Sequence, residues 1–284
     1  MYKIGLSSCG FKLNEENFKA LNKSKISAVE ISMPSEEYKD IDYKELKKLS
    51  ALYEVELWSY HLPFHPFVEI DISAADKTVR ENTISYFSEL IKQGSNIGID
   101  KFIIHTSKEP IQEEQRDECL KYAMQSLDTL AEIAAVSGAF IAVEDLPRTC
   151  LGNTTEEICE LISANDKLRV CFDTNHLLLG DNIGFMRKLG RKIITVHISD
   201  YDFVNERHWL PGEGKIDWNE MINVFREIGY SGVWMYEIGL KCPKTIIRKR
   251  DLTFDDFYNN GMSIFAEEKP RVFSIPKKNL GMWE

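Results

Sequence analysis

The feature that most constrains this 284-residue chain is an eightfold alternation of short apolar runs with longer amphipathic segments. The runs are 3–7 (KIGLS), 28–32 (AVEIS), 55–61 (VELWSYH), 101–105 (KFIIH), 140–144 (FIAVE), 168–173 (LRVCFD), 192–199 (KIITVHIS) and 232–237 (GVWMYE). They are apolar on both faces, as strands of a parallel sheet enclosed by helices must be. Helices are expected at 14–22, 43–53, 73–97, 113–137, 154–162, 183–189, 218–228 and 254–267. Leu46, Leu49 and Leu52 illustrate the helical spacing, and Thr154 or Thr155 and Asp217 are expected N-caps. An open doubly wound sheet alternates in the same way, but usually carries a Gly-rich phosphate turn after its first strand. SSCGFKLNEEN holds no such turn. The expected fold is therefore an α/β chain closed as a (β/α)₈ TIM barrel over residues 1–268, with 269–284 as an irregular C-terminal tail. The length is slightly above the ~250 residues typical of that barrel.

Barrels of this kind place their chemistry at the C-terminal ends of the strands. Here those ends carry His61, His105, Glu144, Asp173, His197 and Glu237, with His176 three residues beyond the sixth strand. Of six histidines, His61, His105, His176, His197 and His208 fall at strand ends or in the loops that follow, and His65 lies further off. A lone histidine there is ordinarily a hydrogen-bonded core group, and a lone Glu237 a surface carboxylate. The conjunction changes the reading. Glu144, Asp173, His197 and Glu237 come one each from four consecutive strands, and buried carboxylates crowd together only at high cost without a cation. These four are the expected ligands of a divalent metal. His61, His105 and His208 either join them or hold substrate oxygens. Glu30 is either a packing carboxylate or a substrate ligand. In the loop HISDYDFVNERHWLPGEGKIDW, Pro211, Gly212 and Gly214 form a tight turn suited to approaching a ligand. Glu206, Arg207, His208 and Trp209 precede that turn and read as a lid.

Composition narrows the partners. A net charge of −10 disfavours non-specific binding to nucleic acid. The one basic run, KTIIRKR at 244–250, follows strand eight, where it could face a phosphate. The six cysteines form no CxxC pair, so they are expected to be reduced thiols of a cytoplasmic protein. No run approaches the ~20 apolar residues of a membrane span, and the N-terminus lacks a signal-peptide pattern. The closing LGMW is expected to dock on this or a neighbouring subunit, which invites a homodimer.

The segments AVEIS, SYHLPF, FIIHTS, IAVEDLP, CFDTNH, TVHISD, HWLPGEGKIDW and MYEIG together resemble the xylose-isomerase-like barrel superfamily over roughly 3–267. That superfamily includes sugar and sugar-phosphate isomerases and epimerases and endonuclease IV. The resemblance implies one divalent ion (Mn²⁺, Mg²⁺ or Zn²⁺) on Glu144, Asp173, His197 and Glu237. It implies a sugar or polyol substrate, and proton transfer by Glu144 and Glu237 through a metal-stabilised enediolate. His176 would orient a hydroxyl, with His61, His105, Glu206 and His208 as further substrate contacts and Trp58 and Trp209 as apolar walls. The alternative it offers is an endonuclease IV-like multi-zinc phosphodiesterase, with Glu206 standing where that family has an aspartate.

Overall fold

The computed structural model describes residues 1–278, 280 and 281. Eight strands form the sheet: β1 Ile4–Ser7, β2 Ala28–Ile31, β3 Glu56–His61, β4 Lys101–Ile104, β5 Phe140–Glu144, β6 Arg169–Asp173, β7 Ile193–His197 and β8 Trp234–Tyr236. Each pairs in parallel with its sequence neighbour from β1 to β7, and β8 pairs with β1. The seam between β7 and β8 is closed just beyond the strands. Ile198 N donates to Met235 O at 2.8 Å and Glu237 N to Ile198 O at 3.3 Å. The sheet is a barrel.

Eight helices surround it: α1 Glu15–Lys23, α2 Tyr43–Tyr53, α3 Lys77–Asn96, α4 Arg116–Val136, α5 Thr155–Ile162, α6 Asn182–Leu189, α7 Trp218–Glu227 and α8 Phe254–Phe265. Thr154 and Asp217 cap α5 and α7 as expected, accepting backbone N–H bonds from the first turn. Helices and strands meet closely. A Cβ on Gly94 of α3 would lie 2.8 Å from the Phe102 ring of β4, so glycine sets how near that helix lies to the barrel.

The barrel interior changes character along its axis. The N-terminal end is filled by Ala28, Val233, Met235 and Trp58, and Ile103, Ala142, Cys171 and Ile194 form a second apolar group. The C-terminal end holds buried Glu30, Ser59, His61, Glu144, Asp173 and His197. The apolar fill makes a dry floor, on which ionisable groups must find each other.

Two expectations change at the C-terminus. The tail is not wholly irregular: β10 (Ser274–Pro276) pairs antiparallel with β9 (Ile246–Arg248). The basic run is also turned away from the mouth. The Arg248 side chain is 1% exposed and faces Glu213 at 3.4 Å, while Arg250 pairs with Asp256. Glu213 also accepts from Ser274 of β10 and from Leu210 N, so the pair ties the tail to the loop after β7. Of the LGMW segment, Gly281 docks on this chain, its carbonyl accepting from Arg207 Nη2 at 2.6 Å, while Met282 and Trp283 lie outside the described residues. No helix is long and apolar enough to cross a membrane among the described residues.

A buried ion pair is costly to break from one side, because the remaining charge has no compensation. Glu213→Ala is therefore expected to lower unfolding free energy by about 3–5 kcal/mol, read from denaturant titration. A change within measurement error would mean that the pair does not secure the tail.

Candidate metal centre

The C-terminal ends of β5, β6, β7 and β8 bring the four expected ligands together. One side-chain ligand atom each from Glu144, Asp173, His197 and Glu237 lies within 4.8 Å of the others. Glu144 is the hub. Its Oε1 is 2.8 Å from His197 Nδ1, and its Oε2 is 3.2 Å from His61 Nε2 and 3.1 Å from His105 Nε2. Burial pushes the Glu144 carboxyl up, but the charge of His197 and the hydrogen bond and charge of His105 outweigh it, holding the group well below its ordinary range. Burial raises Asp173 to about 6 despite the nearby His176.

The Asp173 Oδ2 atom is buried and has no hydrogen-bond partner. A carboxylate oxygen left this way is costly unless a cation or proton answers it. Three carboxylates and an imidazole around one point are a suitable donor set for Mn²⁺, Mg²⁺ or Zn²⁺. The residues fit a divalent ion.

His197 is held from behind. While Nδ1 faces the ligand group, Nε2 lies 3.1 Å from both carboxylate oxygens of Glu30. Ser59 Oγ donates to the same carboxylate at 2.7 Å. Glu30 thus stands behind the candidate ligand His197, an arrangement that in metal sites fixes the tautomer and raises basicity. This resolves the two readings left open for Glu30, since it is neither mere packing nor a group facing the cavity.

The remaining expected residues fall into two further groups. His61, His105 and Glu144 converge, as do His176, Glu206 and His208. His61 Nδ1 is fixed by Leu62 O at 2.9 Å and His176 Nδ1 by Asp145 O at 2.8 Å, so each presents Nε2. Burial lowers His176, but Asp173 and Glu206 reverse this and raise it well above its usual value. His208 Nδ1 contacts Glu237 O at 3.1 Å.

A cavity of about 900 Å³ opens over these groups. His61, His105, His176, Glu206, His208 and Glu237 line it. Trp58 and Trp209 do not, which corrects their reading as sugar walls. Trp58 lies in the apolar fill at the far end of the barrel, bonded through Nε1 to Thr195 Oγ1 at 3.1 Å. Trp209 is 2% exposed and donates from Nε1 to Thr245 Oγ1 at 2.9 Å. The turn at Pro211–Gly214 also serves a different end. It folds round the buried Asp200 carboxylate, which accepts from Gly212 N, Ile216 N, Tyr201 N and Trp218 Nε1.

Sequence reasoning missed part of the wall. His65, set aside as remote, lines the cavity with Phe64 and Phe67. So does Arg148, which bonds both Glu109 oxygens at 2.6 and 2.7 Å and Glu206 at 2.9 Å. This one guanidinium joins the loops after β4, β5 and β7. The SYHLPFHPF stretch and the arginine after DLP were visible, but no spacing rule singles them out.

Outer partners of metal-bound histidines typically contribute ~10–100-fold to affinity. Glu30→Gln is expected to weaken Mn²⁺ binding by that factor in calorimetric titration, with the fold intact by circular dichroism. An unchanged dissociation constant would remove Glu30 from the centre.

A family profile described as xylose isomerase-like TIM barrel matches residues 18–250. The chain is 29% identical over 174 residues to an inosose isomerase of Bacillus velezensis, covering 57% of this chain and 61% of that protein. It thus spans about three fifths of the length of that relative. It is 25% identical over 226 residues to the D-psicose 3-epimerase of Ruminiclostridium cellulolyticum, covering 74% and 72% of the two chains. Among solved structures, a D-tagatose 3-epimerase-like protein superposes with a TM-score of 0.71 at 27% identity, over 84% of this chain and 90% of that one.

Proposed function

The chain belongs to the xylose isomerase-like TIM barrel family, and on that premise we propose that it is a divalent-metal-dependent isomerase or epimerase of a sugar, sugar phosphate or polyol. The observation that carries this reading is the convergence of Glu144, Asp173, His197 and Glu237 beneath an open cavity. The names of its relatives support the same class of chemistry.

A bound divalent ion would supply Lewis acidity, offsetting negative charge that develops on neighbouring substrate oxygens. The protein's own groups do the rest. Glu237 lines the cavity and is the proposed group that exchanges a proton with substrate carbon. Glu144, kept ionised by His197 and His105, is its proposed partner in proton transfer. Asp173 and His197 complete the ligand set. His176 presents Nε2 to a substrate hydroxyl because Asp145 O holds its other nitrogen. His61, His105, Glu206 and His208 supply the surrounding polar contacts.

One observation favours a second reading, a multi-zinc phosphodiesterase. Among the described residues, the four-residue set is joined by His61–His105–Glu144, which shares Glu144 with it, and by His176–Glu206–His208, so up to three ions would find ligands. Elemental analysis of the purified protein separates the two. One ion per chain with no nicking of abasic DNA supports the isomerase, and three zinc ions with nicking would replace it.

Removing a general acid or base typically costs ~10²–10⁴-fold in rate. Glu144→Gln and Glu237→Gln are each expected to reduce kcat on inososes, D-psicose or D-tagatose by about that much. Full turnover by both variants would end the proposal.

A further inference from the structure

The cavity is much larger and more apolar than a free sugar requires. Its volume of about 900 Å³ is near the top of the ~300–1,000 Å³ range that encloses drug-sized ligands. The histidines and Glu237 make a polar floor, and Arg148 with Glu109 and Glu206 forms one polar stretch of the wall. The apolar stretches of the wall are Phe64, Phe67 and Pro110 from the loops after β3 and β4 and Leu146, Leu178 and Leu179 from those after β5 and β6.

One wall is a continuous run of rings that starts at the floor. Phe64 stacks on His105 with centroids 4.2 Å apart and an interplanar angle of 22°. His65 lies 4.6 Å from Phe64, and Phe67 lies 4.3 Å from His65. Aromatic faces in this arrangement favour another flat apolar group beside them. Leu179, which also lines the cavity, is 72% exposed. A free monosaccharide contacting the floor would leave these outer walls in water.

Resting on the isomerase or epimerase reading of this site, we infer that the substrate is a sugar that keeps a free carbonyl for that proton transfer and bears an apolar or aromatic substituent away from the reacting carbons, for which glycosides serve as binding probes. Its sugar part meets the histidine and carboxylate floor. Its substituent lies against the ring shelf of Phe64 and Phe67 and the cavity's leucines.

The test is binding of matched methyl and phenyl glycosides of D-glucose, D-galactose and D-xylose to the Mn²⁺-loaded protein, by calorimetry. In at least one pair the phenyl compound is expected to bind at least tenfold more tightly. Phe67→Ala is expected to abolish that ratio and Phe67→Tyr to retain it. Leu179→Ser, at an exposed position, should reduce the ratio without a folding defect. Binding that is equal or unmeasurable across all three pairs overturns the inference, as does a ratio that survives Phe67→Ala. Turnover is read separately on free ketoses. Loss of turnover with the phenyl preference intact would remove the proposed activity alone, and turnover without the preference would remove the substituent site alone.

Discussion

The architecture above the barrel floor depends on charge balance around the Glu144 carboxylate. Both its oxygens are engaged by imidazoles, and none of its surface reaches solvent. In a medium of low dielectric an unanswered carboxylate is expensive, and here Asp173 and Glu237 lie beside it. Imidazoles answer that charge: Asp173, Glu206 and Glu144 raise His176 well above its usual value against the opposing effect of burial. A divalent ion would take over that role, and its binding would release protons. The same crowding therefore explains the perturbed acid–base properties and the capacity for metal.

Much of this was legible in the sequence because barrel geometry turns strand order into spatial order. Glu144, Asp173, His197 and Glu237 end consecutive strands, so closure at the β7–β8 seam brings them round one axis. Helix limits were also readable, since Thr154 and Asp217 cap where their side chains predict. Trp58 was misread because β3 runs the length of the barrel. His61 emerges at its top, while Trp58, three residues earlier, fills the bottom. Trp209 was misread because a loop long enough to be a lid also needs a core of its own. His65 was overlooked because its place in the wall depends on the path of the loop after β3, which residue periodicity does not encode.

The loops differ in how firmly they are held. Arg148 clasps Glu109 and Glu206, while Arg116 bonds Glu157, Asn153 and the carbonyls of Thr149 and Cys150. These contacts fix the loop after β5 between its neighbours. By contrast, the segments after β3 and β6 carry exposed apolar residues, Val68 and Leu179 among them.

The ring of donors round Asp200 bears on how the cavity can be reshaped. Because that carboxylate satisfies the backbone of its own turn, the loop after β7 keeps its shape through internal bonds, independent of any guest molecule. Altering its tip would unseat His208 and Glu206 along with it. Side-chain changes at the rim, at the exposed Leu179 for example, would reshape the cavity mouth without touching the bonds round Asp200.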